Sequence, residues 1–125
     1  MDEGASEDYI VSRGEYLFAV ITAAYMGYDF VDTKGLILFD KRGRLDIEAT
    51  DKALGEELAK HERAVIPGFY GSSIEDGSIK IFSRGGSDIS GSLVVKAIAD
   101  EITKSLIDYA KTKNIHSLII ECDKK

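Results

Sequence analysis

The chain has 125 residues and a formal net charge of −6, from 22 acidic and 16 basic side chains. That length holds one domain or part of one, and a composition 44% hydrophobic and 30% charged fits a globular chain rather than a disordered one. The acidic balance excludes the counterion-displacing basic stripe of a nucleic-acid partner and disfavours an anionic membrane surface.

One cysteine, Cys122, leaves no internal disulfide and points to a reducing compartment. No apolar run of about 18 residues is present to span a bilayer. The opening Met1-Asp2-Glu3-Gly4 lacks the basic and apolar regions of a secretory signal, so the expected location is the cytoplasm. Residues 1–8 read as an acidic, solvated and fraying tail.

From Gly14 to Met26 nearly every position is apolar, which predicts a helix buried on most sides. Ser12 reads as its N-cap, with Glu15 completing a capping box, and Gly27 as the residue that ends it. A short strand at Asp29–Asp32 follows, then a Thr33-Lys34-Gly35 turn, a strand at Leu36–Phe39 and a turn at Asp40–Arg44. Ile47, Thr50, Leu54 and Leu58 recur at helical spacing, predicting an amphipathic helix from Ile47 to His61.

Ala64-Val65-Ile66 reads as a buried strand stopped by Pro67-Gly68, and Phe69–Ser73 as a turn-like link. Asp76-Gly77 before Ser78–Phe82 signals a hairpin. The glycine-rich stretch Ser83–Asp88 leads into apolar positions from Ile89 to Ala110, either one helix to about Lys113 or two broken near Asp100. Ser117–Glu121 reads as a last strand whose Leu118-Ile119-Ile120 needs burial, so residues 101–125 would patch exposed core. Alternation of helices and strands gives an α/β class with a mostly parallel sheet and one β-hairpin, in a single domain over 1–125.

Arg84-Gly85-Gly86-Ser87-Asp88 is the most informative segment. Two glycines allow close backbone approach, a helix N-terminus presents open N–H groups, and Arg84 adds a bidentate cation for carboxylate or phosphate. The competing reading is a helix start capped by Ser87 or Asp88. Glu15 is either a carboxylate for a substrate ammonium group or only part of its capping box. Phe69, beyond a strand end, either lines a ligand cleft or packs in the core. His61 and His116 lie far apart, with no cysteine or carboxylate at ligand spacing, so no metal site is expected. Cys122 lies between Glu121 and Asp123, which disfavour its thiolate, and is read as structural.

Three stretches together resemble the aspartokinases of the amino-acid kinase superfamily. They are Ser12-Arg13-Gly14-Glu15-Tyr16-Leu17, Val65-Ile66-Pro67-Gly68-Phe69 and Phe82-Ser83-Arg84-Gly85-Gly86-Ser87-Asp88. The resemblance covers residues 5–100 and leaves 101–125 divergent. It implies part of a three-layer α/β/α sandwich and, as the family reaction, ATP-dependent phosphorylation of the L-aspartate side-chain carboxylate. It implies that Glu15 holds the aspartate amino group and that Arg84 clamps a carboxylate. Gly85, Gly86 and Ser87 would supply backbone and hydroxyl contacts, Phe69 would line the pocket, and Asp88 would orient a catalytic lysine.

The sequence departs from the family in having no Lys-Phe-Gly-Gly-Thr-Ser-type loop and no Thr-Thr-Asp-type segment. ATP and Mg²⁺ would serve the family reaction, but neither is built into this chain, which would carry the aspartate-binding half and be inactive alone. A partner polypeptide would then have to supply the lysine loop and the nucleotide half. The alternatives are a non-catalytic module that binds a small acidic amino acid or only self-associates as a homodimer through exposed sheet edges, and a fold that has lost its ligand.

Overall fold

The computed structural model describes residues 6–113. The expected strand at Ser117–Glu121, together with His116 and Cys122, lies outside the described residues.

Helix α1 spans Glu7–Met26, and its N-cap is Ser6, whose side chain accepts the Tyr9 amide. Glu7 and Asp8 sit in its first turn, where carboxylates complement the helix dipole. This corrects two expectations. Residues 7–8 are helix rather than a fraying tail, and Asp8 also accepts the Ile81 amide at 3.3 Å. Ser12 is no cap: it lies buried inside the helix, its hydroxyl donating to the Tyr9 carbonyl at 2.7 Å. Gly27 closes the helix in the left-handed region as expected, at φ +70°.

Nor is α1 buried on most sides. Only Ser12, Ala19 and Ala23 are buried along it, whereas Phe18, Ile21 and Tyr25 are 68%, 66% and 87% exposed. The small residues Ala19 and Ala23 let the helix lie close on the strands, and the large side chains face outward.

The strands form two small sheets. β1 (Asp29–Phe30) pairs in parallel with β3 (Ala64–Val65), Asp29 opposite Ala64. β2 (Leu38–Phe39) pairs in parallel with β4 (Tyr70–Ser73), Leu38 opposite Ser72. β4 then pairs antiparallel with β5 (Ile79–Ile81) through the expected turn, in which Gly77 has φ +73°. β4 replaces the expected turn-like link. All four of its residues are buried, because Gly71 lies against the Ile37 carbonyl, where no side chain fits, and Ser72 accepts the Gly35 amide at 2.8 Å.

Helix α2 (Ile47–Leu58) is capped by Asp46, which accepts the Ala49 amide at 3.0 Å. Helix α3 runs unbroken from Gly86 to Lys113, so there is no break near Asp100. α1 packs on β1, β3 and β5, while α2 packs on α3 and β2. The core between them is Ile37, Phe39, Leu54, Leu93 and Ala97, flanked by Leu36, Leu45, Leu58, Phe82, Ile89 and Val94. The class is α/β, with parallel pairing in both sheets and one hairpin. Among the described residues no helix is long and apolar enough to cross a membrane.

Candidate functional site

The segment after β3 is held by both long helices. From α1, Glu15 Oε1 accepts the Gly68 amide at 3.2 Å. From α3, Ser90 Oγ accepts the Phe69 amide at 3.1 Å. Pro67 between them is buried. Glu15 therefore makes no capping box with Ser12. Its partner is a backbone amide 53 residues away, and its second oxygen has no partner among the described residues.

Phe69 has φ +55°. A bulky side chain rarely adopts that conformation, and holding one there costs on the order of 1–3 kcal/mol. The contacts that hold it are visible. Gly86 packs so closely that a Cβ there would lie 2.5 Å from the Phe69 Cβ and 2.8 Å from its Cα. Gly68 lies beside Ser87 in the same way, a Cβ on it meeting the Ser87 Oγ at 3.2 Å. The Phe69 ring meets Tyr70 edge-on, with centroids 6.2 Å apart.

The turn into α3 is open. Gly85 has φ +64°, and its carbonyl accepts the Ile89 amide at 3.0 Å. The helix starts at Gly86, so Ser87 and Asp88 lie within its first turn rather than at the cap. The amides of Gly86, Ser87 and Asp88 have no acceptor among the described residues, as expected for the first turn of a helix. Arg84, Ser87 and Asp88 are exposed, and Arg84 has no ion pair or hydrogen bond among the described residues. The fold thus brings Glu15, Phe69, Gly86 and Ser87 around one loop, with Arg84 and Gly85 at the entry to the same helix.

Beneath the loop lies a second polar group. Tyr70 is fully buried and donates to Asp32 Oδ1 at 2.7 Å. Burial, then the hydrogen bond to Asp32, pushes its phenol well above the ordinary range. The Arg13 guanidinium lies over the Tyr16, Tyr9 and Tyr70 rings, at 4.4, 4.6 and 5.6 Å from their centroids. Ser90, Arg13 and the Tyr70–Asp32 pair were not singled out from the sequence. Arg13 lies within the Ser12–Leu17 stretch, and Ser90 lies three residues after Ser87 and so on a neighbouring helix position, whereas the Tyr70–Asp32 pair carried no signal.

No carboxylate at ligand spacing from His61 is expected from the sequence, but the fold sets two beside it, Glu57 from four residues earlier and Asp29 from β1. Its Nδ1 lies 2.7 Å from Asp29 Oδ2, and its Nε2 lies 2.8 Å from Glu57 Oε2, one helical turn earlier. Among the described residues, no cluster of three or more histidine, cysteine or acidic side chains is placed to hold a metal.

The chain is 27% identical to aspartokinase 3 of Bacillus subtilis, over 94% of this chain and 28% of that protein. It is 35% identical to the chloroplastic aspartokinase 1 of Arabidopsis thaliana, over 74% of this chain and 19% of the relative. The crystal structure of the Clostridium acetobutylicum aspartate kinase matches at TM-score 0.74 and 46% identity, over 78% of this chain and 22% of that one. The chain is a homologue of the aspartokinases. Escherichia coli aspartokinase III, in complex with lysine and aspartate, shares the fold at TM-score 0.65 and 21% identity. No protein-family model matches the chain. The chain spans 19–28% of the length of these aspartokinases.

Proposed function

We propose that the chain binds L-aspartate as the acceptor-side portion of an aspartokinase. The observation that carries this is the meeting of Glu15 and the Gly86–Ser87 helix start at one loop, Gly68–Phe69. A zwitterion needs one anion for its ammonium group and cationic or amide donors for its carboxylates. The second oxygen of Glu15 serves the first need. The open amides of α3 and the exposed Arg84 serve the second. Gly85 lets the chain turn into that helix, the Ser87 hydroxyl adds a donor, and Phe69 walls the pocket. Asp88 orients the groups that react.

ATP and Mg²⁺ belong to the complete reaction, in which a protein works by positioning and by stabilising charge. These residues hold the acceptor. No Lys-Phe-Gly-Gly-Thr-Ser-type loop occurs in the 125 residues, so the lysine that would meet the transferred phosphate is not among them. Calorimetric titration with L-aspartate and then with Mg·ATP, followed by a coupled assay of ADP release, tests the proposal. Aspartate binding without turnover is the expected result. Turnover by the chain alone contradicts the division of labour, and absence of aspartate binding contradicts the site.

One observation favours a second reading, a self-associating module without a ligand. The outer face of α1 presents Leu17, Phe18, Ile21 and Tyr25, all more than half exposed. Contiguous apolar surface of this kind marks an interaction site. Light scattering of the chain and of Phe18→Glu separates the readings, because a homodimer formed through this face dissociates in the variant.

A further inference from the structure

Ser90 lies inside α3 and is only 4% exposed. A serine or threonine within a helix commonly turns its hydroxyl back to the carbonyl four residues earlier. Two threonines of α3 do so: Thr103 donates to the Ala99 carbonyl and Thr112 to the Asp108 carbonyl, both at 2.9 Å. Ser90 instead reaches out of its helix. Its Oγ accepts the Phe69 amide at 3.1 Å, so its oxygen is committed to the loop and lies too deep to meet a ligand.

Phe69 is held from several sides. Its N–H donates to Ser90, and its carbonyl accepts the Phe82 amide at 3.0 Å. Gly86, one helical turn before Ser90, presses against its Cα and Cβ. Together these contacts keep a bulky residue at φ +55°, a conformation that persists only where the surroundings over-determine it. Of the three, only the bond to Ser90 is made by a side-chain oxygen, so only that one can be removed without touching the backbone. The neighbouring amide, that of Gly68, is the one that Glu15 holds. Two adjacent residues of the loop are thus pinned to two different helices, and releasing one lets the other shift.

Given aspartate binding at this loop, the reading on which it rests, we propose that Ser90 is a positioning residue of the pocket. It fixes Phe69 as a wall and, through Gly68, keeps the Glu15 carboxylate aimed at the ammonium group. It sets the affinity for the amino acid without touching it. Side chains that meet a ligand hold their geometry only when buried hydrogen bonds behind them lock it. Ser90 supplies such a bond from the same helix whose first turn faces the ligand's carboxylates, so both ends of the zwitterion are referred to one rigid element.

Ser90→Ala removes the acceptor, while alanine's better helix propensity offsets part of the lost stability. Ser72→Ala is the matched control, because Ser72 is also buried and accepts a backbone amide, that of Gly35, at 2.8 Å. The full chain and both variants are titrated with L-aspartate well below their unfolding temperatures. Ser90→Ala is expected to bind roughly tenfold more weakly, the equivalent of one lost hydrogen bond. Ser72→Ala is expected to bind as the parent does, and Ser90→Thr, which keeps the oxygen, to restore binding. In ligand-free protein isotopically labelled at phenylalanine nitrogen, the Phe69 amide should exchange with solvent roughly tenfold faster in Ser90→Ala. Equal affinity of Ser90→Ala and the parent overturns the proposal, as does an equal loss in Ser72→Ala or an unchanged Phe69 exchange rate. A parent that binds no L-aspartate overturns the aspartate reading, and the proposal with it, a result told apart because it appears in the unmodified chain.

Discussion

The carboxylate of Glu15 accepts the backbone amide of Gly68, 53 residues further along the chain, at 3.2 Å. This bond fastens the middle of α1 to the loop that Gly86 and Ser87 press from the other helix. A carboxylate used in this way still has an oxygen free for a ligand, so structural and binding roles can be separated by substitution.

Glu15→Gln keeps an oxygen for the Gly68 amide and removes the charge. The thermal midpoint should change by no more than a few degrees, while aspartate affinity falls by roughly tenfold or more, the size of a lost charge-assisted hydrogen bond. Differential scanning calorimetry paired with titration checks both. A drop in stability as large as that of a core variant would make Glu15 purely structural.

Two glycine replacements on α3 should act in opposite directions. Gly86→Ala drives a methyl to 2.5 Å from the Phe69 Cβ and should destabilise the fold by about 1–3 kcal/mol, as overpacking does. At Gly91 nothing lies within 4 Å of an added Cβ, and alanine there should stabilise the helix by about 0.5–1 kcal/mol. Urea unfolding of both variants decides the matter, and equal effects would contradict the close packing at Phe69.

Tyr70→Phe removes the donor to Asp32 and leaves the buried ring in place. The expected loss is about 1–2 kcal/mol, the cost of a hydrogen bond to a charged acceptor in a partly solvated site. Asp32 keeps the Lys34 amide at 3.1 Å, which limits the penalty. A variant as stable as the parent would show that the phenol contributes nothing there.

His61 should give the fold a pH dependence. Its hydrogen bonds to Asp29, then Glu57, raise its pKa above the ordinary 6.5, against a smaller opposing effect of burial. Lys60, beside Glu57, also belongs to this cluster. Because the folded value is the higher one, the stabilisation is complete below about pH 6.5 and fades as pH rises through the raised value. On the acid side, the hydrogen bonds to His61 and then Lys60 hold Glu57 below its ordinary 4.5. That contribution is present above pH 4.5 and lost as pH falls through the lowered value. The thermal midpoint across pH 5–9 should decline on the alkaline side for the parent and stay flatter for His61→Gln. Parallel profiles would remove the cluster from the account.

Local signals told most where the structure is local. Asp76-Gly77 specified the hairpin turn and Gly27 the end of α1, and of the Ile47–Thr50–Leu54–Leu58 spacing Thr50 and Leu54 are buried on α2 and Leu58 half-buried, while Ile47 is exposed. The reading failed where long-range packing decides. Tyr70-Gly71-Ser72-Ser73 has the composition of a turn, yet it is a buried strand because Ile37 leaves no room for a side chain at Gly71 and Ser72 meets the Gly35 amide. Ser12 and Glu15 have capping-box spacing, but the real cap is Ser6, six residues earlier and followed by two acids. The residue types of the site were legible in the sequence, while the loop that joins them was not, since Glu15, Gly68 and Ser87 meet only in the fold.

The most direct test of the central claim is titration of Arg84→Ala with L-aspartate beside the unmodified chain. Arg84 is exposed and makes no contact that the fold needs among the described residues, so the variant should unfold at the parent's temperature. Its aspartate affinity should fall by at least about tenfold, in keeping with a lost charge-assisted pair. Identical binding by the two proteins would contradict the account, because the helix start would then not be where the carboxylate is held.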